Sequence, residues 1–101
     1  MARQSQVGTH RTTVRTYGGE TRVTYHDTDV VTFSNEEIVL DTGGYFSATT
    51  KTRMNQAANQ FDLGYQVHQD RGVWYVVRKV DGAYQWDNRQ PFDGRKFTIK
   101  R

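Results

Sequence analysis

Only one stretch of this chain repeats its apolar residues at the period of a helix, and every other patterned stretch alternates them as strands do. In TTKTRMNQAANQF, Met54, Ala57, Ala58 and Phe61 stand at i, i+3, i+4 and i+7, which lines one helical face. Elsewhere the period is two: Val23 and Tyr25, Val31 and Phe33, Ile38 and Leu40, Tyr65 and Val67, Tyr84 and Trp86, Phe97 and Ile99. A lone apolar stripe needs a sheet to cover it. The chain is therefore predicted to be α+β: an antiparallel sheet of short strands, in meander and hairpins, packed against one central amphipathic helix. The expected element order is β-β-β-β-α-β-β-β.

Turn chemistry sets the boundaries. Gly18-Gly19 divides Thr12 to Tyr17 from Glu20 to His26, and both glycines reach positive φ freely. Arg71-Gly72 turns the chain into Val73 to Val80, and Asp81-Gly82 is a strong type I′ signal. Ser34-Asn35-Glu36 makes a short turn, and Thr42-Gly43-Gly44 ends the meander before the helix. Thr49 or Thr50 is expected to cap the helix start, and Gly64 to supply the left-handed residue after its end. An irregular stretch around Pro91 leads into the last strand. Residues 1–10 are polar and aperiodic and read as a mobile basic arm preceding a single domain over 11–101.

With 101 residues there is room for one modest core, and only 35% of them are hydrophobic. Aromatic residues, at 13%, offset this; Trp74, Trp86, Phe33, Phe61 and Phe97 are the rings expected to fill the core. Cysteine is absent, which excludes disulfide staples, thiol nucleophiles and cysteine-based zinc sites. The first residues lack the apolar core of a signal peptide, and the apolar run Val73 to Val77 is too short to cross a bilayer. A cytoplasmic protein with no membrane partner and no cofactor is the expectation.

Charge is unevenly placed. Arg3, Arg11, Arg15 and Arg22 against Glu20 make the first 22 residues basic. Asp27, Asp29, Glu36, Glu37 and Asp41 have no Lys or Arg among them, and the remainder of the chain is basic again. Either the segments neutralise one another across the fold, or a cationic face stands apart from an acidic one.

Three constellations could carry chemistry. At the helix start, Gly43 and Gly44 precede Thr49, Thr50, Lys51 and Arg53, a setting in which free backbone N–H groups and the helix dipole favour an anion. The glycine spacing is not that of a Walker loop. Basic and aromatic residues also interleave on strands: Arg15, Tyr17, Arg22 and Tyr25 in one group, Tyr75, Arg78, Lys79, Tyr84 and Trp86 in another. Such surfaces stack bases and track phosphates, although aromatic residues in a small domain usually belong to the core, as expected for Trp74 and Trp86. Finally, His26, Asp27 and Asp29 are weak candidates for a metal or acid–base site, since turn carboxylates ordinarily bond their own backbone. No catalytic motif is present and His68 stands isolated.

The phrases TRVTYHDTDVVTF, IVLDTGGY and TTKTRMNQAANQF resemble a group of short uncharacterised proteins encoded by bacteriophages and other mobile elements, over about residues 21 to 77. The resemblance implies a phage origin and action in the host cytoplasm, and it assigns no functional residue. The leading expectation is a non-catalytic nucleic-acid binder, for DNA or RNA, using Arg15, Arg22, Lys51, Arg53, Arg78 and Lys79 on phosphates and Tyr17 or Tyr75 on bases. The alternatives are a module that binds a host or phage protein, including a virion component, and a small nuclease.

Overall fold

A computed structural model describes residues 11–44, 46–92 and 95–101; the arm expected over 1–10 lies outside them. The order is β1 (Thr12–Tyr17), β2 (Glu20–Tyr25), β3 (Thr28–Phe33), β4 (Glu37–Asp41), α1 (Ala48–Gln60), β5 (Tyr65–Asp70), β6 (Val73–Val80), β7 (Ala83–Tyr84), β8 (Gln90–Pro91) and β9 (Lys96–Lys100). The fold is α+β with antiparallel pairing throughout, as the patterning predicts. The strands divide into two sheets. One runs β1-β2-β3-β4-β9, closed by the last strand, and the other sets β5 on one side of β6 and β7 and β8 on the other.

Three hairpins share one turn chemistry. Gly18 and Gly19 (φ 61° and 79°), Arg71 and Gly72 (53° and 81°), and Asp81 and Gly82 (52° and 83°) place both central residues in the left-handed region. That is the type I′ pattern, whose twist matches the flanking strands. In β3 the register slips: Val23 faces Val31, but Thr24 faces Asp29, leaving Val30 as an extra residue. The bulge lets Val30 and Val31 both reach the core, which strict alternation would forbid.

The core joins Val23, Val31, Ile38, Leu40 and Ile99 of the large sheet to Met54, Ala57 and Ala58 of the helix. Tyr65, Val67, Trp74, Val76 and Phe92 complete it, while Phe33, Phe61 and Phe97 pack at its margin. Trp86 departs from expectation and is 47% exposed. The chain leaves β7 after Tyr84 and turns through a short 3-10 segment over Trp86–Asn88, so strand alternation no longer aims that ring inward. Phe92 takes a core place instead.

Both helix caps also differ from the sequence expectation. Ser47, not Thr49 or Thr50, is the N-cap, its Oγ accepting from the Thr50 N–H at 3.1 Å. The helix begins one residue after Ser47, so both threonines fall inside the first turn. At the other end Asp62 takes the left-handed position (φ 52°), and the Leu63 N–H closes back on the Ala58 carbonyl at 2.9 Å. This is a Schellman closure with Asp where Gly is commoner. Gly64 (φ 73°) redirects the chain into β5, and its carbonyl accepts the Lys79 N–H.

Polar contacts fix the helix against β5. The Asn55 amide donates to the Val67 carbonyl at 2.8 Å and accepts from the Val67 N–H at 2.7 Å, filling the place of a neighbouring strand. Buried Tyr65 donates its hydroxyl to the Met54 carbonyl at 2.7 Å, and burial pushes its pKa upward. Asn55→Ala leaves both Val67 backbone groups without this partner. The expected loss is about 1–3 kcal/mol of stability, read as a lower urea midpoint with an unchanged slope.

Candidate functional site

The glycine loop before the helix uses its own donors. The Gly43 N–H bonds to Asp41 Oδ1 at 2.8 Å, and the Gly44 N–H to Thr42 Oγ1 at 3.1 Å. Gly43 (φ 66°) is required sterically, since a Cβ there would lie 2.5 Å from Thr28 Oγ1. Thr50 is buried and Thr49 half-buried. Arg53 is only 7% exposed; it donates to Thr12 Oγ1 at 2.9 Å and to Gln56 Oε1 at 3.0 Å, with Tyr25 beside it. The bond to Thr12 ties α1 to the first strand. Lys51 reaches Gln69 Oε1 at 3.3 Å and lies 5.7 Å from the Trp74 ring.

On the large sheet, Arg15 and Arg22 face one another across β1 and β2, and Tyr17 stands 91% exposed beside the hairpin turn. Arg22 bonds to Glu20 at 2.7 Å and to Asp29 at 3.4 Å. Its hydrogen bond to Glu20 leads in raising the guanidinium pKa. Arg95 meets Asp41 at 3.0 Å and Lys100 meets Glu37 at 3.4 Å. Asp29, Asp41 and Glu37 of the acidic middle thus pair with cations of the basic ends, as in the first of the two charge arrangements the sequence allowed. Among the described residues, the cations do not gather into one strip around the helix start.

The carboxylates and His26 diverge. Asp29 accepts from Thr24 Oγ1 and Arg22 beside β2. His26 sits at φ 55° in the β2–β3 turn, edge-on to Tyr25, and with Asp27 lines a separate cavity of about 390 Å³. Among the described residues no cluster of three or more His, Asp or Glu could hold a metal ion. Asp29 turns to Thr24 and Arg22, away from the cavity that His26 and Asp27 share, so the three side chains do not converge.

The second basic-aromatic group comes together only in part. Arg78 and Lys79 are successive strand residues and so point to opposite faces. Arg78 turns to the Lys100 carbonyl at 3.3 Å. Lys79 lies 5.7 Å from the Tyr84 ring on the face that carries Tyr75 and His68. There Tyr75 stacks on His68 (5.4 Å, 22°), Trp86 meets His68 edge-on at 5.0 Å, and Tyr84 lies 6.0 Å from Trp86. Arg89 covers the Tyr75 ring at 4.3 Å and bonds to Asp70 at 3.2 Å.

The signal for His68 was present in the sequence. With Arg71-Gly72 as a two-residue turn, counting outward pairs Asp70 with Val73 and His68 with Tyr75, as observed. Arg89 had no such signal, because an irregular segment delivers it.

This face belongs to a two-sheet α+β domain in which aromatic rings and cations share the outer side of the smaller sheet. The chain belongs to the Kyanoviridae Gp96 protein family, a bacteriophage family, whose model matches residues 1–98. No curated protein and no solved structure matches it. Among the described residues, no helix is long and apolar enough to cross a membrane.

Desolvation first, then the nearby Arg89 charge, lowers the His68 pKa below its ordinary 6.5, against a smaller opposing pull from Asp70. Among the described residues, its buried Nε2 has no hydrogen-bond partner. The unfolded chain therefore takes up this proton first as pH falls. The His68 contribution to stability is complete above about 6.5 and declines below it. Urea midpoints of wild type and His68→Gln, compared at pH 7.5 and at about pH 5, should show a smaller acid-side decline in the variant.

Proposed function

We propose that this phage protein is a small, non-catalytic binder of single-stranded nucleic acid, acting in the host cytoplasm through the outer face of β5, β6 and β7. The observation that carries the reading is Trp86, half exposed against His68 and Tyr84, with Lys79 and Arg89 at either side of the ring group. An exposed indole can stack a base, and Arg89, already over the Tyr75 ring, offers a guanidinium for another. Every base has a π-face, so this chemistry suits DNA and RNA alike and favours no sequence. Few cations flank the rings, so affinity should depend on stacking as much as on phosphate contacts.

Of the residues singled out in the sequence, Tyr75, Lys79, Tyr84 and Trp86 belong to this surface. Arg15, Tyr17 and Arg22 form a separate group on the other sheet, and the Arg53 guanidinium is committed within the fold.

Oligonucleotide titration tests the reading. Short single strands of DNA and RNA should quench Trp86 emission, and Trp86→Ala should cost about 1–3 kcal/mol of binding. Removing both Lys79 and Arg89 should flatten the slope of log K against log salt by about 1.4, from two phosphate contacts at ~0.7 each. Tyr17→Ala should change neither. Failure of wild type to bind either strand at low salt would sink the proposal.

A further inference from the structure

We infer that the groove between α1 and β5 reads the edge of a nucleobase, an inference that rests on the single-strand reading and gives it a base preference. The groove has a volume of about 360 Å³, and Lys51, Thr52, Gln66 and Tyr84 contribute to its lining. Tyr84 belongs to the groove and to the stacking face alike, since its ring also lies 6.0 Å from Trp86. Gln66 stands two residues before His68 on β5 and so points to the face on which His68 meets Trp86. The groove therefore continues the ring surface.

Two kinds of polar side chain line it. Asn55 and Tyr65 are committed, the Asn55 amide at both ends to Val67 and the Tyr65 hydroxyl to the Met54 carbonyl. Those bonds hold the walls in place. Thr52 and Gln66 are half-buried, and among the described residues no hydrogen bond engages either side chain. A half-buried amide with no protein partner keeps both its donor and its acceptor for whatever enters. Paired with a base edge, such an amide makes a two-point contact that distinguishes one base from another.

Charge selects the same occupant. Lys51 is the cation of the lining, and among the described residues no carboxylate lines the groove with it. Its ammonium meets Gln69 Oε1 at 3.3 Å and lies 5.7 Å from the Trp74 ring, both neutral, so its charge stays uncompensated. One base in the groove, its phosphate at Lys51 and the neighbouring base on Trp86, uses each of these groups once. Single strands are recognised in this manner, with unstacked bases splayed onto rings and hydrogen-bonded at their edges. Tilted 47° to one another, the Tyr84 and Trp86 rings offer separate faces, which suits bases held apart.

Titration of the full chain with short single-stranded homopolymers of adenine, cytosine and thymine nucleotides tests this. Wild type should bind the preferred homopolymer on the order of tenfold more tightly than the poorest. Gln66→Leu keeps the side-chain bulk, removes both amide groups and should bring the three to a common affinity. Gln66→Glu keeps an acceptor but loses the donor, and should shift the order towards cytosine, whose amino group it can accept. If the leucine variant misfolds, that shift still decides. Lys51→Ala should flatten the slope of log K against log salt by about 0.7 and leave the order of the bases unchanged. Trp86→Ala should weaken all three alike. Equal affinities in wild type, or an order that neither Gln66 variant changes, overturn the inference while the stacking face stands. Failure of wild type to bind any strand removes both.

Discussion

Between α1 and β5, polar contacts supply something the apolar stripe cannot. Burial of Met54, Ala57 and Ala58 favours contact with a sheet but sets no register, because the hydrophobic effect has no direction. Asn55, bonded at both ends of its amide to Val67, and Tyr65, bonded to the Met54 carbonyl, fix the helix along one strand. Loss of either partner strands a backbone group with little water to replace it. Because Tyr65 and Val67 begin β5, the placement of the smaller sheet follows from these bonds. So does the covering of the large sheet's inner residues, since the same helix packs against β2 and β3.

That arrangement decides how charge is spent. The large sheet carries ion pairs joining Arg22, Arg95 and Lys100 to Glu20, Asp29, Asp41 and Glu37. Exposed pairs of this kind contribute about 0–1 kcal/mol each, so their main effect is on the surface potential. A cation held by a carboxylate attracts a phosphate weakly. Around β6, among the described residues, only Arg89 is so paired, with Asp70, and its guanidinium still lies over a ring. The same composition therefore puts most of the ion pairs on one sheet and sets Lys79 and Arg89 against aromatic rings on the other. A basic net charge of +3 could not distinguish these two surfaces.

Local chemistry was legible and long-range pairing was not. Asp81-Gly82 and Gly18-Gly19 announce their hairpins because a type I′ turn needs two left-handed residues in succession. Met54, Ala57, Ala58 and Phe61 announce the helix because 3.6 residues per turn leaves few other readings. The cap was misplaced by two or three residues because Ser47, Thr49 and Thr50 can all accept a backbone N–H, and only the fold chooses. Trp86 was misassigned because alternation was extended past Tyr84, where the strand ends. Arg53, placed by its spacing outside the apolar stripe, is buried by β1, an element 41 residues away. The division into two sheets depends on β9 meeting β4, a pairing that no local pattern encodes.

The handling of strand edges carries the same lesson into function. An open edge offers unmet N–H and C=O groups to any extended chain, and folded proteins cover or blunt it. Here the final strand closes β4, and one asparagine with the helix behind it closes β5 at Val67. Both devices bring in residues distant in sequence, at a cost in chain entropy that a small domain can meet only a few times. At β1 Arg15 stands directly opposite Arg22, and charge on an outer strand discourages a further extended chain from adding to the sheet.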